Sequence, residues 1–329
     1  MALIMGVDGG GSKTYAVITD AEGNLLGEGL AGGANYQKIG LDRAMDHIST
    51  AMKHALEQAG LQYADLDFVQ YTLAGADREA DMIRLESGLK KIPVTSWNLA
   101  CDTMAGLRAG SPDNVGIVLV CGSGTNAFGR NRDGQVVQTG GFGYLYGDYA
   151  GGNHMAIETF RAAVRSWEQR DIPSILTERV PSYLGYSSME ALLNDYLDRQ
   201  VRTVPSELTI VLHEAVQDGD ALSIRLLSEV GHELGNAARS VMRRIGSFGV
   251  DNIPIVLIGS IFQRGKSSCL LQSLEETLRE EHTDFTIEIP EMEPVFGAVL
   301  MGMDQLQLPA GPQITERLNS YRREIIVES

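Results

Sequence analysis

Twice along this chain, an apolar strand candidate runs into a glycine-rich turn and is followed by two further strand candidates. The first turn, Asp8–Ser12, follows the apolar run Ala2–Val7, and the second, Cys121–Asn126, follows Val115–Val120. Each turn leads into two more strand candidates separated by a second turn. The repetition of the whole pattern predicts an α/β fold with a duplicated domain and a cleft between its halves.

The two expected domains differ in size. The second half of the chain has mostly helical periodicity, as in Ala221–Ile245. We place the boundary near Pro112, with domains at residues 1–112 and 113–329. Because no low-complexity linker separates the halves, we expect a hinge at this boundary. A chain of 329 residues is long enough for two domains. At that length it would bury about 75% of its unfolded surface without disulfides or metal ions.

The charge balance restricts the classes of partner. Lys and Arg number 27 against 43 Asp and Glu, a net charge of −16. Such acidity opposes binding to nucleic acid and to anionic membranes, and we expect neither partner. The apolar stretches are too short for a signal peptide or a membrane span. The three cysteines form no C-x-x-C pair, so a reducing, cytoplasmic location is expected.

The first glycine turn is the strongest candidate for a phosphate site. Consecutive glycines let backbone N–H groups approach an anion, and the hydroxyls of Ser12 and Thr14 can donate to phosphate oxygens. Asp8, at the end of the strand, could hold Mg²⁺ through water. An ordinary hairpin is the alternative, but three glycines exceed what a tight turn needs. A G-x-G-x-x-G pattern at Gly27–Gly32 opens no helix directly and is not interpreted as a dinucleotide site.

Three polar residues are candidates for contacts with an acceptor molecule. Asp102 follows the strand candidate Val94–Trp97, where a carboxylate could accept the proton of an attacking hydroxyl or simply cap the next helix. Asp148 ends a third glycine run, Gly140–Gly147, and could bind a ligand, cap a helix, or do both. Asn35 could bond sugar hydroxyls or make a turn.

Together these segments resemble the N-acetylglucosamine kinase and BadF/BadG/BcrA/BcrD-type ATPase family within the actin-like ATPase superfamily. Asp8–Thr14 is similar to the first phosphate motif of that superfamily, Cys121–Asn126 to the second, and Gly259-Ser260 to the adenosine motif. The resemblance covers most of the chain. It implies two ribonuclease H-like domains flanking a nucleotide and sugar cleft.

The same resemblance implies a kinase that uses ATP and Mg²⁺ to phosphorylate an amino sugar, N-acetylglucosamine at its 6-OH above all. Asp102 would be the general base. The implied ATP contacts are Gly9, Gly10, Gly11, Ser12, Thr14, Gly122, Ser123, Gly124, Ser206, Gly259 and Ser260. The implied sugar contacts are Asn35, Asp102, Gly141, Phe142, Gly143 and Asp148. The family's Asp-Glu-Gly-Ser appears here as Asp148-Tyr149-Ala150-Gly151, which leaves the identity of the sugar open.

Other functions remain open at this stage. An ATPase that activates a partner enzyme through a shared iron–sulfur cluster would need cysteine ligands, and only Cys121 lies near a nucleotide turn. A non-catalytic sugar or nucleotide sensor would bind its ligand without forming a product. Repressor-related sugar kinases usually carry a cysteine-rich zinc site, which this sequence lacks. The oligomeric state, including a homodimer, is also left open.

Overall fold

The computed structural model describes residues 2–265 and 267–321. The chain divides into two compact units. The described part of unit 1 comprises residues 2–115 and 290–321, and that of unit 2 comprises residues 116–265 and 267–289. Each unit contains one five-stranded sheet.

Unit 1 is built on a mixed sheet. Its strands are β1 (Leu3–Gly9), β2 (Lys13–Asp20), β3 (Leu25–Gly32), β4 (Phe68–Leu73) and β5 (Trp97–Cys101). They lie in the order β3-β2-β1-β4-β5. β1, β4 and β5 are parallel, whereas β2 is antiparallel to both β1 and β3. The helices among them are α1 (Tyr36–Ile39), α2 (Leu41–Ala59), α3 (Glu79–Leu89) and α4 (Asp102–Gly110).

Helix α2 covers one face of this sheet because its apolar residues recur at helical spacing. The sequence pattern predicts a helix over Leu41–Ala59, and α2 has these bounds. The helix ends at Gly60, whose φ of 67° is the left-handed conformation typical of a glycine C-cap. A Cβ at Gly27 or Gly29 of β3 would lie 2.2 or 2.1 Å from a backbone oxygen of α2. The G-x-G-x-x-G pattern therefore lets a helix pack closely on a strand, which explains it without a dinucleotide.

Unit 2 repeats the sheet of unit 1. Its strands are β6 (Gly116–Cys121), β7 (Thr125–Arg130), β8 (Val136–Thr139), β9 (Ile253–Ile258) and β10 (Phe285–Glu288). They lie in the order β10-β9-β6-β7-β8, with β6, β9 and β10 parallel and β7 antiparallel to its neighbours. Strand order and directions match those of unit 1 strand for strand. The predicted duplication and the ribonuclease H-like α/β fold class are confirmed.

The described residues of unit 2 form the α-helices α5 (Gly152–Trp167), α6 (Leu176–Tyr183), α7 (Met189–Asp198), α8 (Leu208–Gln217), α9 (Ala221–Ile245) and α10 (Ser268–Arg279). Helices α5 to α8 share one apolar cluster. Helix α9 lies on the sheet, where a Cβ at Gly129 of β7 would be 2.3 Å from Val241. No helix among the described residues is both long enough and apolar enough to cross a membrane.

The end of the chain returns to unit 1, which differs from the expected domain of residues 113–329. The described residues 290–321 belong to unit 1 and contain helices α11 (Pro294–Gln305) and α12 (Pro312–Ser320). Every residue from Val295 to Met303 is buried, and a helix that is apolar all round needs cover on all sides. The sheet and α4 provide it: a Cβ at Gly6 would lie 2.7 Å from the oxygen of Val295, and one at Gly297 would lie 2.0 Å from the oxygen of Ala105.

Two further details differ from the sequence patterns. The strand expected at Val94–Trp97 begins only at Trp97, because pairing with β4 starts there and continues to Cys101. The patterns also did not predict α1, α6, α10 and α12. Helix α6 contains Pro181, and proline is a residue type that usually interrupts helices.

Candidate active site

Three aspartates lie where the parallel strands of unit 1 end. The strand register aligns the last residues of β1, β4 and β5 in one row. Asp8 is the penultimate residue of β1, Asp102 directly follows β5, and Asp77 lies in the loop after β4. Ligands of open α/β sheets bind beyond the carboxyl ends of the strands. This edge is therefore the candidate reaction site of unit 1.

Asp8 has an electrostatic environment that disfavours its charged form. Desolvation, followed by the negative charges of Asp102 and Glu293, raises the pKa of Asp8 to about 7, although Lys13 lowers it. The ammonium of Lys13 lies 3.4 Å from the carboxylate of Glu293. Negative charge at this edge thus exceeds positive charge, which favours the approach of a cation.

Asp102 begins α4 instead of capping it. Strand β5 runs up to Cys101, which is itself the N-cap residue, so the capping interpretation of Asp102 is wrong. Desolvation, with a contribution from Asp77, raises the pKa of Asp102 to about 6, while hydrogen bonds from the Cys101 thiol and the Thr103 backbone lower it. A carboxyl group tuned in this way is suited to accept a proton near neutral pH.

The glycine turn of unit 1 is closed by its own backbone. The N–H of Gly10 donates to the oxygen of Lys13 at 2.9 Å, and Gly11 and Ser12 are exposed. Thr14, by contrast, is buried, and its hydroxyl donates to the oxygen of Gly32 at 2.7 Å. The Thr14 hydroxyl therefore bonds within the sheet. The resemblance implied that Thr14 contacts ATP at the turn, but its side chain is buried and does not face the turn.

Asn35 lies beside this turn and caps a short helix. The backbone N–H of Gln37 donates to Asn35 Oδ1 at 3.1 Å, which makes Asn35 the N-cap of α1. A Cβ at Gly75 would lie 3.4 Å from the same Oδ1. Asn35 therefore contacts the loop that leads to Asp77.

The second glycine turn, Gly122–Gly124, meets two other candidate segments of unit 2. Gly259 has a φ of 108°, and a Cβ there would lie 2.3 Å from the oxygen of Cys121, so the turn and Gly259-Ser260 are in contact. The N–H of Gly152 donates to the oxygen of Gly122 at 2.7 Å. Ser206 is exposed ahead of α8, and Thr209 of that helix would lie 3.9 Å from a Cβ at Gly152.

Asp148 shapes the third glycine run. Its carboxylate accepts the N–H of Gly143 at 2.6 Å and that of Gly141 at 3.1 Å. The N-cap of α5 is Gly151, so the helix-cap interpretation of Asp148 is wrong. Phe142, between the two bonded glycines, is 48% exposed. The carboxylate thus holds the loop that carries the expected sugar contacts.

A pocket of about 360 Å³ within unit 2 joins these elements, lined among others by Ser123, Gly143, Tyr144, Asp148 and His154. Ala150 also lines it, whereas Tyr149 packs its ring on His154 at a centroid distance of 4.2 Å. Tyr149 is not among the residues that line this pocket, and it lines a neighbouring pocket instead. Cavities of this size are typical of small-molecule sites.

Sequence reasoning missed Asp77 and His154. Asp77 follows a strand candidate just as Asp102 does, and that position was the available signal. Its significance depends on β4 lying between β1 and β5, which periodicity does not reveal. His154 stacks on Tyr144 and contacts the ring of Tyr149 at a tilt of 49°. Neither ring nitrogen of His154 has a hydrogen-bond partner among the described residues.

Two curated relatives match nearly the whole chain. An N-acetyl-D-glucosamine kinase from Dictyostelium discoideum is 26% identical over 314 residues, covering 92% of this chain and 98% of the relative. An N-acetylmuramic acid/N-acetylglucosamine kinase from Clostridium acetobutylicum is 26% identical over 313 residues, covering 93% and 99%.

A solved structure from Chromobacterium violaceum, provisionally named an N-acetylglucosamine kinase, shares the fold with a TM-score of 0.69. It is 22% identical and covers 92% of this chain and 99% of its own. The model of the BadF/BadG/BcrA/BcrD ATPase family matches residues 5–302. This chain therefore belongs to the BadF/BadG/BcrA/BcrD ATPase family.

Proposed function

We propose that this chain is an ATP-dependent kinase that transfers the γ-phosphoryl group to a hydroxyl of an amino sugar, the 6-OH of N-acetylglucosamine above all. The observation that carries the proposal is Asp102, a desolvated carboxylate beyond the carboxyl ends of the parallel strands of unit 1, in an ATPase-family chain. Both full-length relatives described above are kinases named for amino sugars.

Phosphoryl transfer needs mostly positioning and neutralisation of charge. In unit 1, Gly9–Ser12 would contact the phosphates of ATP. In unit 2, the turn Gly122–Gly124 would do the same, and the adjoining Gly259-Ser260 would contact the adenosine. We leave Thr14 out of this set because its hydroxyl is buried, and Ser206 stays as a weaker member.

Asp102 would accept the proton of the acceptor hydroxyl as the oxygen attacks the γ-phosphorus. Asn35 in unit 1 would bond sugar hydroxyls, since it lies in the loop packed beside the same edge. In unit 2, the loop held by Asp148 would supply the remaining sugar contacts, including Gly141, Phe142 and Gly143. The pocket beside this loop has the volume to accommodate a hexose.

Mg²⁺ fits the charge of the unit 1 edge. Among the described residues, no group of three or more His, Cys, Asp and Glu side chains is arranged to hold a metal ion directly. Mg²⁺, however, often keeps most of its waters and binds through one or two carboxylates and the substrate phosphates. Asp8 would hold it through water. When bound, the ion would neutralise charge on the phosphates.

The first test is the release of ADP from Mg·ATP with N-acetylglucosamine, glucosamine, N-acetylmuramic acid, N-acetylmannosamine, glucose or buffer alone. We expect stimulation by one amino sugar, which would also identify the acceptor. Equal release in every well, buffer included, would favour an ATPase that acts on a partner protein. Binding without turnover would favour a sensor.

Replacement of the base provides the second test. We expect Asp102→Asn to lower turnover by about 10² or more while ATP binding stays near normal, because the amide cannot accept the proton. Steady-state kinetics and ATP titration measure the two effects. Asp42→Asn, an exposed position on α2, is the matched control. Near-wild-type turnover in Asp102→Asn would remove Asp102 from this role.

A further inference from the structure

The buried thiol of Cys101 lies between two of the three edge carboxylates. Its Sγ is 3.3 Å from Asp102 Oδ1 and 3.4 Å from Asp77 Oδ1. Cys101 is only 6% exposed. Burial and the two neighbouring negative charges raise the pKa of the thiol well above its usual value, so it remains an S–H donor.

A thiol has one proton and can donate it to one of these carboxylates at a time. When the thiol donates to Asp102 Oδ1, that oxygen is held by the last residue of β5. Asp77 gives the same proton a second acceptor, on the loop after β4. Cys101 ends β5 and Asp102 directly follows it, whereas Asp77 lies in the loop after β4, the parallel strand that pairs with β5.

We propose that Cys101 and Asp77 are positioning residues for the base: the thiol holds Asp102 Oδ1, so that Oδ2 faces the acceptor hydroxyl. This inference rests on the proposed function. In the reaction, the new O–P bond forms as the bond between the γ-phosphorus and the bridging oxygen of ATP breaks, and ADP leaves with that oxygen. The acceptor O–H bond breaks in the same step, and its proton moves to Asp102 Oδ2. Asp102 then loses its charge, and the thiol donates its proton to Asp77 instead.

The test compares kcat and KM in four variants. Cys101→Ala should lower kcat about tenfold and leave the KM for ATP within about twofold, since a misdirected base affects the chemical step. Cys101→Ser should recover most of kcat, because a hydroxyl can donate in place of the thiol. Asp77→Asn should lower kcat less than Cys101→Ala does. Cys269→Ala, on α10, is the matched cysteine control.

The double variant Asp77→Asn/Cys101→Ala separates this role from simple destabilisation. Because Asp77 acts through the thiol, the double variant should be no slower than Cys101→Ala alone. Three outcomes would each overturn the inference. The first is a kcat loss in the double variant equal to the product of the losses in the two single variants. The others are a Cys101→Ser variant as slow as Cys101→Ala at equal melting temperature, and a Cys101→Ala variant with a kcat within twofold of wild type. A wild-type chain without sugar-dependent ADP release would overturn the proposed function, and this inference with it.

Discussion

Aspartates of the same unit differ widely in acidity because their neighbours differ. Burial and nearby carboxylates raise the pKa of Asp8 and Asp102, whereas the Arg78 guanidinium lowers the pKa of Asp81 to about 2. The sequence pattern predicted Asp102 as a base candidate because it follows a strand. It could not predict the raised pKa of Asp102, because that pKa depends mainly on burial, with a contribution from Asp77 in the loop after β4, and the tertiary structure sets both.

The raised pKa of Asp102 predicts a loss of activity at mildly acidic pH. Only the deprotonated carboxylate acts as a base, and a pKa of about 6 means that most of it is protonated at pH 5. An ordinary aspartate, with a pKa of about 3.9, would still be ionised there. We expect kcat/KM for the sugar to fall steeply as the pH drops below about 6. A flat profile from pH 5 to 7 would contradict this assignment.

At the scale of elements, glycines set how closely strand ends and turns approach. Gly259 brings the end of β9 against the end of β6, and Gly151 packs on the turn after β6, where a Cβ would lie 2.7 Å from the carbonyl carbon of Gly124. The sequence showed that glycines were in excess. Only the tertiary structure shows which glycines lie against a neighbouring backbone and which lie in turns with open space around them.

Gly259→Ala should therefore disrupt the nucleotide segments of unit 2. The new Cβ would collide with the oxygen of Cys121, and the positive φ would be strained as well. We expect ATP affinity to fall about tenfold or more and the melting temperature to fall by several degrees. Gly219→Ala is the matched control, because Gly219 has a φ of 79° but open space around its Cβ position. Equal effects of the two substitutions would show that backbone strain alone matters.

At the scale of the whole molecule, one sheet topology occurs twice, and the chain crosses from unit 2 back to unit 1 after residue 289. Helix α11 buries Val295 and Phe296 against β1 and β2 in the apolar cluster of unit 1. Unit 1 is thus assembled from both ends of the chain. Its stability depends on a segment that the sequence patterns assigned to the other domain.

Each unit contains one of the two tryptophans, Trp97 in unit 1 and Trp167 in unit 2, and so can be followed separately. Phe296→Ala should destabilise unit 1 by about 3–5 kcal/mol, because the side chain is fully buried. In a Trp167→Phe background, the denaturation midpoint of Trp97 fluorescence should fall. Leu197→Ala, at an exposed position, should leave it in place. A shift confined to Trp167 fluorescence, in a Trp97→Phe background, would assign α11 to unit 2.

The sequence by itself determined the local features: both glycine turns, the repeated strand pattern, and helices α2 and α9 with their bounds. These depend on glycine conformation and on periodicity within a few turns of chain, so nearby residues suffice. The tertiary structure alone decided that β4 lies between β1 and β5, that Thr14 is buried, and that α11 joins unit 1. Strand pairing and burial depend on contacts between residues far apart in sequence, and local patterns contain no record of them.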